Sequence, residues 1–121
     1  MLLRHLALAV TDEAASRAFY ERWFGFGIEP PRRYDDGTLM LYGPGDVALA
    51  LGRADGPPAL PPFFHFGFTL DDPGAVRDLR DAFEREGVEI AEFWDEPGYV
   101  SVKCRDPDGY VVEAAWEPGC A

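Results

Sequence analysis

The sequence predicts an α+β fold made of two βαβββ modules, because the same pattern of apolar and turn-forming residues occurs in it twice. Residues 5–12 read HLALAVTD and residues 65–72 read HFGFTLDD, so an alternating apolar segment leads to an acidic residue in both copies. Each copy then runs through a helical stretch to a turn, Gly43-Pro44-Gly45-Asp46 or Asp106-Pro107-Asp108-Gly109, and on into an apolar segment. A repeat of one supersecondary unit determines the architecture of such a chain.

The first module begins with a predicted strand over Leu3–Val10, where aliphatic residues alternate. Asp12 is suited to cap a helix over Glu13–Phe24, which Gly25 would end. Residues at helical spacing form its predicted buried stripe: Ala15, Phe19 and Trp23. Prolines at 30 and 31 disrupt regular structure around the next strand. The last two strands of this module are predicted over Thr38–Tyr42 and Val47–Leu51.

The second module repeats this order with clearer signals. After a strand over Phe63–Leu70, Asp72 caps a helix that has Pro73 at its first position and ends at Gly87. The predicted buried stripe of this helix is Val76, Leu79 and Phe83. Three strands follow, over Val88–Phe93, Tyr99–Arg105 and Tyr110–Trp116. The last two form a hairpin, because an Asp-Gly pair tolerates positive φ in the connecting turn.

Length and composition are those of one globular domain. With 121 residues, of which 47% are hydrophobic, the chain is long enough to bury a core. We expect one domain over residues 1–121, with modules at about 1–55 and 63–121 joined by a stiff proline-rich linker at 56–62.

The formal net charge of −11 argues against nucleic acid as a partner, since phosphates require a basic surface. It also disfavours anionic membrane surfaces. Two interpretations stay open: an affinity for cations, or a solvated surface with no partner. The sequence has no membrane-length apolar run and no signal peptide, and its two cysteines, Cys104 and Cys120, favour a reduced compartment. We therefore expect a cytoplasmic protein.

Strand alternation separates a face covered by a helix from a face that bears polar groups. The only two histidines, His5 and His65, lie on the sparse face of their strands, away from the bulky residues. When the repeat is aligned at the turn prolines, Ala50 stands opposite Glu113. The equivalent inward positions are therefore His5, Ala50, His65 and Glu113, and three of these four can bind a metal. Small neighbours at 7, 9, 48, 52 and 67 would leave room for a ligand.

With this repeat, the two histidines opening equivalent strands and the segment DPDGYVVE at 106–113, the chain resembles the glyoxalase/bleomycin-resistance/extradiol-dioxygenase superfamily, the vicinal oxygen chelate proteins. The segments FYE at 19–21 and FGF at 24–26 are similar to that family's first helix and its exit. The resemblance covers essentially the whole chain. It implies a cup-shaped mixed sheet with helices on the outside and one divalent metal ion (Fe, Mn, Zn, Ni or Co), often in a homodimer.

His5, His65 and Glu113 match three of the family's metal positions. The fourth position, which glyoxalase I fills with Glu, is Ala50 in this chain, and this departure weakens a glyoxalase I assignment. The three-ligand set resembles those of extradiol dioxygenases and fosfomycin-modifying thiol transferases. Ala7 and Lys103 replace a threonine and a tyrosine of the thiol transferases, which argues against fosfomycin modification.

Two functions from different classes are consistent with these residues. The first is a metal-dependent lyase, isomerase or ring-cleaving dioxygenase that acts on a small substrate with vicinal oxygens. In that enzyme Lys103 pairs with an anionic group or carries a proton, and Tyr99 and Ser101 hydrogen-bond the substrate. For Lys103, an exposed lysine at a strand end is an equal alternative. The second function is a non-catalytic protein that sequesters a cationic, bleomycin-like antibiotic, with no need of the three metal ligands.

Overall fold

The computed structural model describes residues 1–119 and divides the chain into two compact units, Met1–Ala59 and Leu60–Ala121. Each unit is a four-stranded mixed sheet that carries one α-helix, which confirms the predicted α+β class and the βαβββ order of the modules. Cys120 lies outside the described residues. None of the described helices has the length and apolar character needed to cross a bilayer.

The first unit contains one helix and four strands: β1 (His5–Val10), α1 (Glu13–Phe24), β2 (Arg32–Arg33), β3 (Leu39–Tyr42) and β4 (Ala48–Arg53). The strand order in its sheet is β1-β4-β3-β2, with β1 parallel to β4 and the other pairs antiparallel. Prolines at 30 and 31 precede the shortest strand, β2, in keeping with the disruption that the sequence predicts there.

The second unit repeats the pattern with longer strands: β5 (His65–Thr69), α2 (Pro73–Glu86), β6 (Ile90–Glu96), β7 (Tyr99–Arg105) and β8 (Val111–Trp116). The strand order is β5-β8-β7-β6, which corresponds strand for strand to that of the first unit. Again the first and last strands of the unit are parallel neighbours. The equivalence of the two sheets makes positions in one unit comparable with positions in the other.

Helix α1 has the predicted bounds but a different buried face. The Asp12 carboxylate accepts a hydrogen bond from the Ala15 N–H at 3.0 Å, and Gly25 ends the helix at φ 73°. The buried residues are Ser16, Phe19 and Tyr20, so the predicted stripe through Ala15 and Trp23 is rotated by about one position. The large ring of Tyr20 accounts for the rotation, because it packs edge-on against both Phe19 and Phe26.

Helix α2 follows its prediction, except that Leu79 of the predicted stripe is only partly buried. The Asp72 carboxylate accepts from the Gly74 N–H at 3.2 Å, Pro73 is the first helical residue, and Gly87 ends the helix at φ 75°. Val76 and Phe83 are completely buried. The apolar face of the sheet, made of Val100, Val102 and Cys104 on β7, is also completely buried, and α2 packs on that strand. The opposite face of β7 is therefore the one that carries polar side chains.

The first strand of each unit starts later than predicted. Strand β1 begins at His5 and not at Leu3, and strand β5 begins at His65 and not at Phe63. In the second unit the reason is a turn, closed by a hydrogen bond from the Phe64 N–H to the Pro61 carbonyl at 3.3 Å. Both histidines thus stand at the first position of a strand, where the preceding backbone is free to contact the side chain.

Candidate functional site

The polar face of the second sheet brings His65 and Glu113 together. Strand register sets His65 opposite Val111 and Gly67 opposite Glu113, while Glu113 also pairs with Lys103 across β7 and β8. The side chains of His65 and Glu113 are 24% and 16% exposed, so both are accessible but shielded on most sides. His65 Nε2 lies 4.0 Å from Glu113 Oε1.

The backbone fixes the proton of the neutral His65 ring. His65 Nδ1 lies 2.7 Å from the carbonyl oxygen of Phe63, and a carbonyl can only accept, so Nδ1 carries the hydrogen. Nε2 then retains its lone pair and faces the Glu113 carboxylate. A histidine that ligates a metal is commonly held in this way, through a backbone carbonyl on its other nitrogen.

Two hydroxyl groups hold Glu113. Tyr99 donates from its hydroxyl to Glu113 Oε2 at 2.7 Å, and Ser101 Oγ donates to the same oxygen. Burial raises the pKa of the Tyr99 hydroxyl above its usual value, so this group remains a donor at neutral pH. Both hydrogen bonds end on Oε2, and Oε1 is the oxygen that faces His65. The sequence predicts that Tyr99 and Ser101 contact substrate, whereas in the structure their hydroxyls bind the carboxylate.

Gly67 makes the position of Glu113 sterically possible. A Cβ atom added at residue 67 would lie 2.9 Å from the Glu113 Cβ and 3.0 Å from the Glu113 carbonyl oxygen. Real Cβ atoms essentially never approach other heavy atoms that closely. The strand therefore needs glycine at this position if Glu113 is to stay where it is.

Lys103 belongs to a separate polar cluster on the same face. Its ammonium group lies 3.1 Å from Glu92 Oε1, and the indole nitrogen of Trp94 also donates to that oxygen. These two contacts, the Trp94 hydrogen bond first, lower the pKa of the Glu92 carboxyl below its usual value. The Lys103 side chain is only 16% exposed, so it is a paired lysine and not a freely solvated one. Trp94, one residue beyond the end of the predicted strand, lies within β6 and is 47% exposed.

His65 borders two cavities of the second unit. One, of about 300 Å³, is lined on its polar side by His65, Tyr99 and Glu113. The other, of about 340 Å³, has Phe63, Phe64 and Lys103 among its lining residues. Both volumes are at the lower end of the range of small-molecule sites.

The first unit has a position equivalent to Glu113, but the residue there has no metal-binding group. His5 pairs with Ala48 and Ala7 with Ala50, just as His65 pairs with Val111 and Gly67 with Glu113. Strand register thus sets Ala50 in the position of Glu113, as the repeat alignment indicates. His5 is exposed at the start of β1.

Comparison with known proteins identifies the family. The model of the Glyoxalase/Bleomycin resistance protein/Dioxygenase superfamily matches residues 2–114. The chain belongs to this superfamily. It is 34% identical to the uncharacterized protein PA2024 of Pseudomonas aeruginosa, over 94% of this chain and 87% of that protein. These matches confirm the resemblance that the repeat and the DPDGYVVE segment indicate.

Solved structures of the superfamily share the fold. The fosfomycin resistance protein FosX of Listeria monocytogenes superimposes with a TM-score of 0.79 at 16% identity, covering 98% of this chain and 95% of FosX. Lactoylglutathione lyase of Agrobacterium tumefaciens gives a TM-score of 0.71 at 26% identity, covering 95% and 92%. A FosX variant has been solved with Mn(II) and 1S,2S-dihydroxypropylphosphonic acid.

The superfamily suggests a divalent metal, and the donor atoms of the second unit fit one. Metal bonds to imidazole nitrogen and carboxylate oxygen are about 2.0–2.2 Å long, so a separation of 4.0 Å lies just within the largest distance that one ion can bridge. Within residues 1–119, no three His, Cys, Asp or Glu side chains cluster closely enough to hold a metal. The predicted set is divided, with His65 and Glu113 in the second unit and His5 in the first.

Proposed function

We propose that the protein is a divalent-metal-dependent enzyme of this superfamily that acts on a small substrate with vicinal oxygens, as a lyase, isomerase or ring-cleaving dioxygenase. The observation that carries the proposal is the Nε2 lone pair of His65 facing Glu113 Oε1 at 4.0 Å. We assign the metal to His65 and Glu113 together with His5, the equivalent residue of the first unit.

The proposed ligands suit this chemistry. Two neutral imidazoles and one carboxylate leave a divalent ion with a net charge of about +1 and with open positions. When bound, such an ion polarises the substrate oxygens and stabilises the negative charge that develops on them. The protein residues have separate tasks: Tyr99 and Ser101 keep Glu113 oriented, while Lys103 and Glu92 form a neighbouring ion pair that can bind a polar group of the substrate or relay a proton.

One solved relative supports the reaction class. Lactoylglutathione lyase, at 26% identity, is named as a lyase. Fosfomycin itself is not proposed as the substrate, because the FosX likeness at 16% identity supports the fold alone.

The proposal is tested by the metal content of protein purified without an affinity tag or a chelator. We expect near-stoichiometric Fe, Mn, Zn, Ni or Co in the wild type, and strong loss in His65→Ala, Glu113→Gln and His5→Ala. Glu96→Gln is the matched control, since it removes a carboxylate charge from β6 of the same sheet. Full occupancy in His65→Ala would contradict the ligand assignment, and a wild type that takes up no offered metal would contradict the function.

A second candidate function is metal-independent binding of a cationic ligand. Exposed Trp94 and the Glu92 carboxylate lie together on the polar face, and such a pair suits an aromatic or cationic guest. In that case, binding of bleomycin would weaken with added salt and survive chelation. Loss of binding in the presence of a chelator would favour the metal-dependent enzyme.

We also propose a homodimer in the cytoplasm. The family resemblance supports the dimer, and the buried free thiol of Cys104 is consistent with a reducing compartment. Sedimentation equilibrium with and without metal, together with cell fractionation, tests both statements. A monomer at all concentrations, or a secreted protein, would contradict them.

A further inference from the structure

We propose that the backbone of Phe63 is the positioning element of the site: its left-handed turn aims a carbonyl at His65 Nδ1 and so selects the tautomer in which Nε2 is free to bind a metal. The tautomer of His65 is set without any metal, and its consequence for metal binding rests on the proposed function.

The turn that precedes β5 requires an unusual backbone at Phe63. The Phe64 N–H donates to the Pro61 carbonyl at 3.3 Å, and Phe63 has φ 70°. A turn closed between residues 61 and 64, with Pro62 second and a positive φ third, has the signature of a type II turn. The third position of that turn normally takes glycine, since a side chain in the left-handed region costs about 1–2 kcal/mol.

The cost at Phe63 is not offset by burial of its ring. The side chain is 88% exposed, which is exceptional for phenylalanine, and it makes an edge-to-face contact with the His65 ring, at 5.1 Å between centroids. A strained residue that lies at a candidate site and outside the core indicates a function for the strain. Here the strained residue directs its carbonyl oxygen to within 2.7 Å of His65 Nδ1.

The consequence for His65 follows from its hydrogen-bond partner. Whichever nitrogen of a neutral imidazole donates, the other is left as the acceptor or metal ligand. An unconstrained histidine side chain in water favours the proton on Nε2, which would block the atom that faces Glu113. The Phe63 carbonyl reverses that preference before any metal arrives.

The experiment compares two substitutions that both delete the ring and differ in the backbone they allow. Phe63→Gly accepts a positive φ, whereas Phe63→Pro fixes φ near −65° and is compatible with Pro62 before it. The readout is the tautomer of the neutral imidazole, measured by nitrogen-15 NMR on metal-free protein at alkaline pH. His5→Gln assigns the two rings, since the chain has only two.

We expect the Nδ1–H tautomer to dominate in the wild type and in Phe63→Gly, and the Nε2–H tautomer to become the major form in Phe63→Pro. A tautomer unchanged in Phe63→Pro would overturn the proposal, as would an equal loss in both variants. If Phe63→Pro does not fold, Phe63→Asn and Phe63→Val replace the pair, because asparagine tolerates the left-handed region and a β-branched residue does not.

Metal affinity provides the second measurement. We expect Mn(II) or Co(II) to bind Phe63→Pro about 10–100-fold more weakly than Phe63→Gly, the usual loss when a partner of a ligand histidine is removed. Equal affinities would overturn the claimed effect on metal binding. A tautomer shift in a protein that binds no metal in any form would support the role of Phe63 and contradict the proposed function, so the two failures are distinguishable.

Discussion

At the scale of single residues, the site depends on two residues whose side chains have no polar or metal-binding group. Gly67 provides the space in which Glu113 sits, and Phe63 provides the carbonyl that orients His65. The donor atoms are recognisable in the sequence because histidine and glutamate are obvious ligands. The supporting residues are not, since their role depends on strand register and on one backbone angle.

Gly67→Ala tests the space requirement. The new Cβ would overlap Glu113, so we expect the free energy of unfolding to fall by about 1–3 kcal/mol and metal affinity to fall with it. Gly98→Ala is the control, because a Cβ there has no heavy atom within 4 Å. Denaturant titration and equilibrium dialysis measure the two effects, and equal behaviour of the two variants would contradict the prediction.

Cys104 gives a prediction about alkaline pH. Burial first, and then the nearby charge of Asp106, raises the pKa of its thiol to about 12 from an ordinary value of 9.0. A thiol that holds its proton more tightly when folded contributes stability below pH 9, and this contribution is lost as the pH rises toward 12. In a Cys120→Ser background, we expect Cys104 to resist alkylation under native conditions.

The Cys120→Ser protein and the double variant that also carries Cys104→Ala differ in their free energy of unfolding. We expect this difference to become smaller as the pH rises above 9, because only the first protein has the buried thiol. Urea titrations at several alkaline pH values measure it. A constant difference, or rapid alkylation of the folded protein, would show that the thiol is not held in its protonated form.

At the scale of elements, local signals determine both helices. Each begins at an aspartate whose carboxylate accepts a backbone N–H, and each ends at a glycine in the left-handed conformation. Tertiary contacts then tie these helices to strands: Arg77 of α2 binds Asp95 of β6 at 2.8 Å, an arrangement that lowers the pKa of the Asp95 carboxyl. The boundaries of the helices therefore follow from the sequence, whereas the strand residues that each helix contacts do not.

Asp72→Ala tests the cap of α2. Removing the acceptor for the Gly74 N–H should lower the free energy of unfolding by about 1 kcal/mol, the usual value of such a cap. Asp71→Ala is the matched control, because it removes the same charge one residue earlier. Denaturant titration distinguishes them, and an equal loss in both would assign the effect to charge and not to capping.

At the scale of the whole molecule, the chain repeats its fold but not its site. Ala50 and Glu113 occupy equivalent register positions, but their partners on the neighbouring strand differ: Ala50 pairs with Met40 of β3, and Glu113 pairs with Lys103 of β7. Ala50 is also 5% exposed. The first unit therefore keeps the register of a ligand position, with a buried alanine and an apolar cross-strand partner where the second unit has a carboxylate and a lysine.

Ala50→Glu tests this difference. A carboxylate placed at this buried position, beside Ala7 and Met40, should lower the free energy of unfolding by about 1–3 kcal/mol. Ala48→Glu is the control, because it adds the same charge two residues earlier on the same strand at a less buried position. If Ala50→Glu proved as stable as the wild type and bound metal more tightly, the position would be a functional fourth ligand site.

The sequence predicted most of the fold because its signals are local or periodic. The internal repeat indicated the two βαβββ modules, and the caps and glycines gave both helices their bounds. The errors came from packing: Tyr20 replaced Trp23 in the buried face of α1, since its ring contacts Phe26, a residue beyond the helix. Strand ends were also misplaced, because the Pro61–Phe64 turn competes with pairing in the residues before His65.

By itself, the sequence determined the fold class, the family and the identity of the candidate ligands His5, His65 and Glu113. Only the tertiary structure decided that Tyr99 and Ser101 hold Glu113, that Lys103 is paired with Glu92, and that the Phe63 carbonyl fixes the His65 ring. The physical reason is that hydrogen bonds between strands depend on register and on side-chain rotamers. Alternation along one strand specifies which face a residue occupies and leaves its partner across the sheet undetermined.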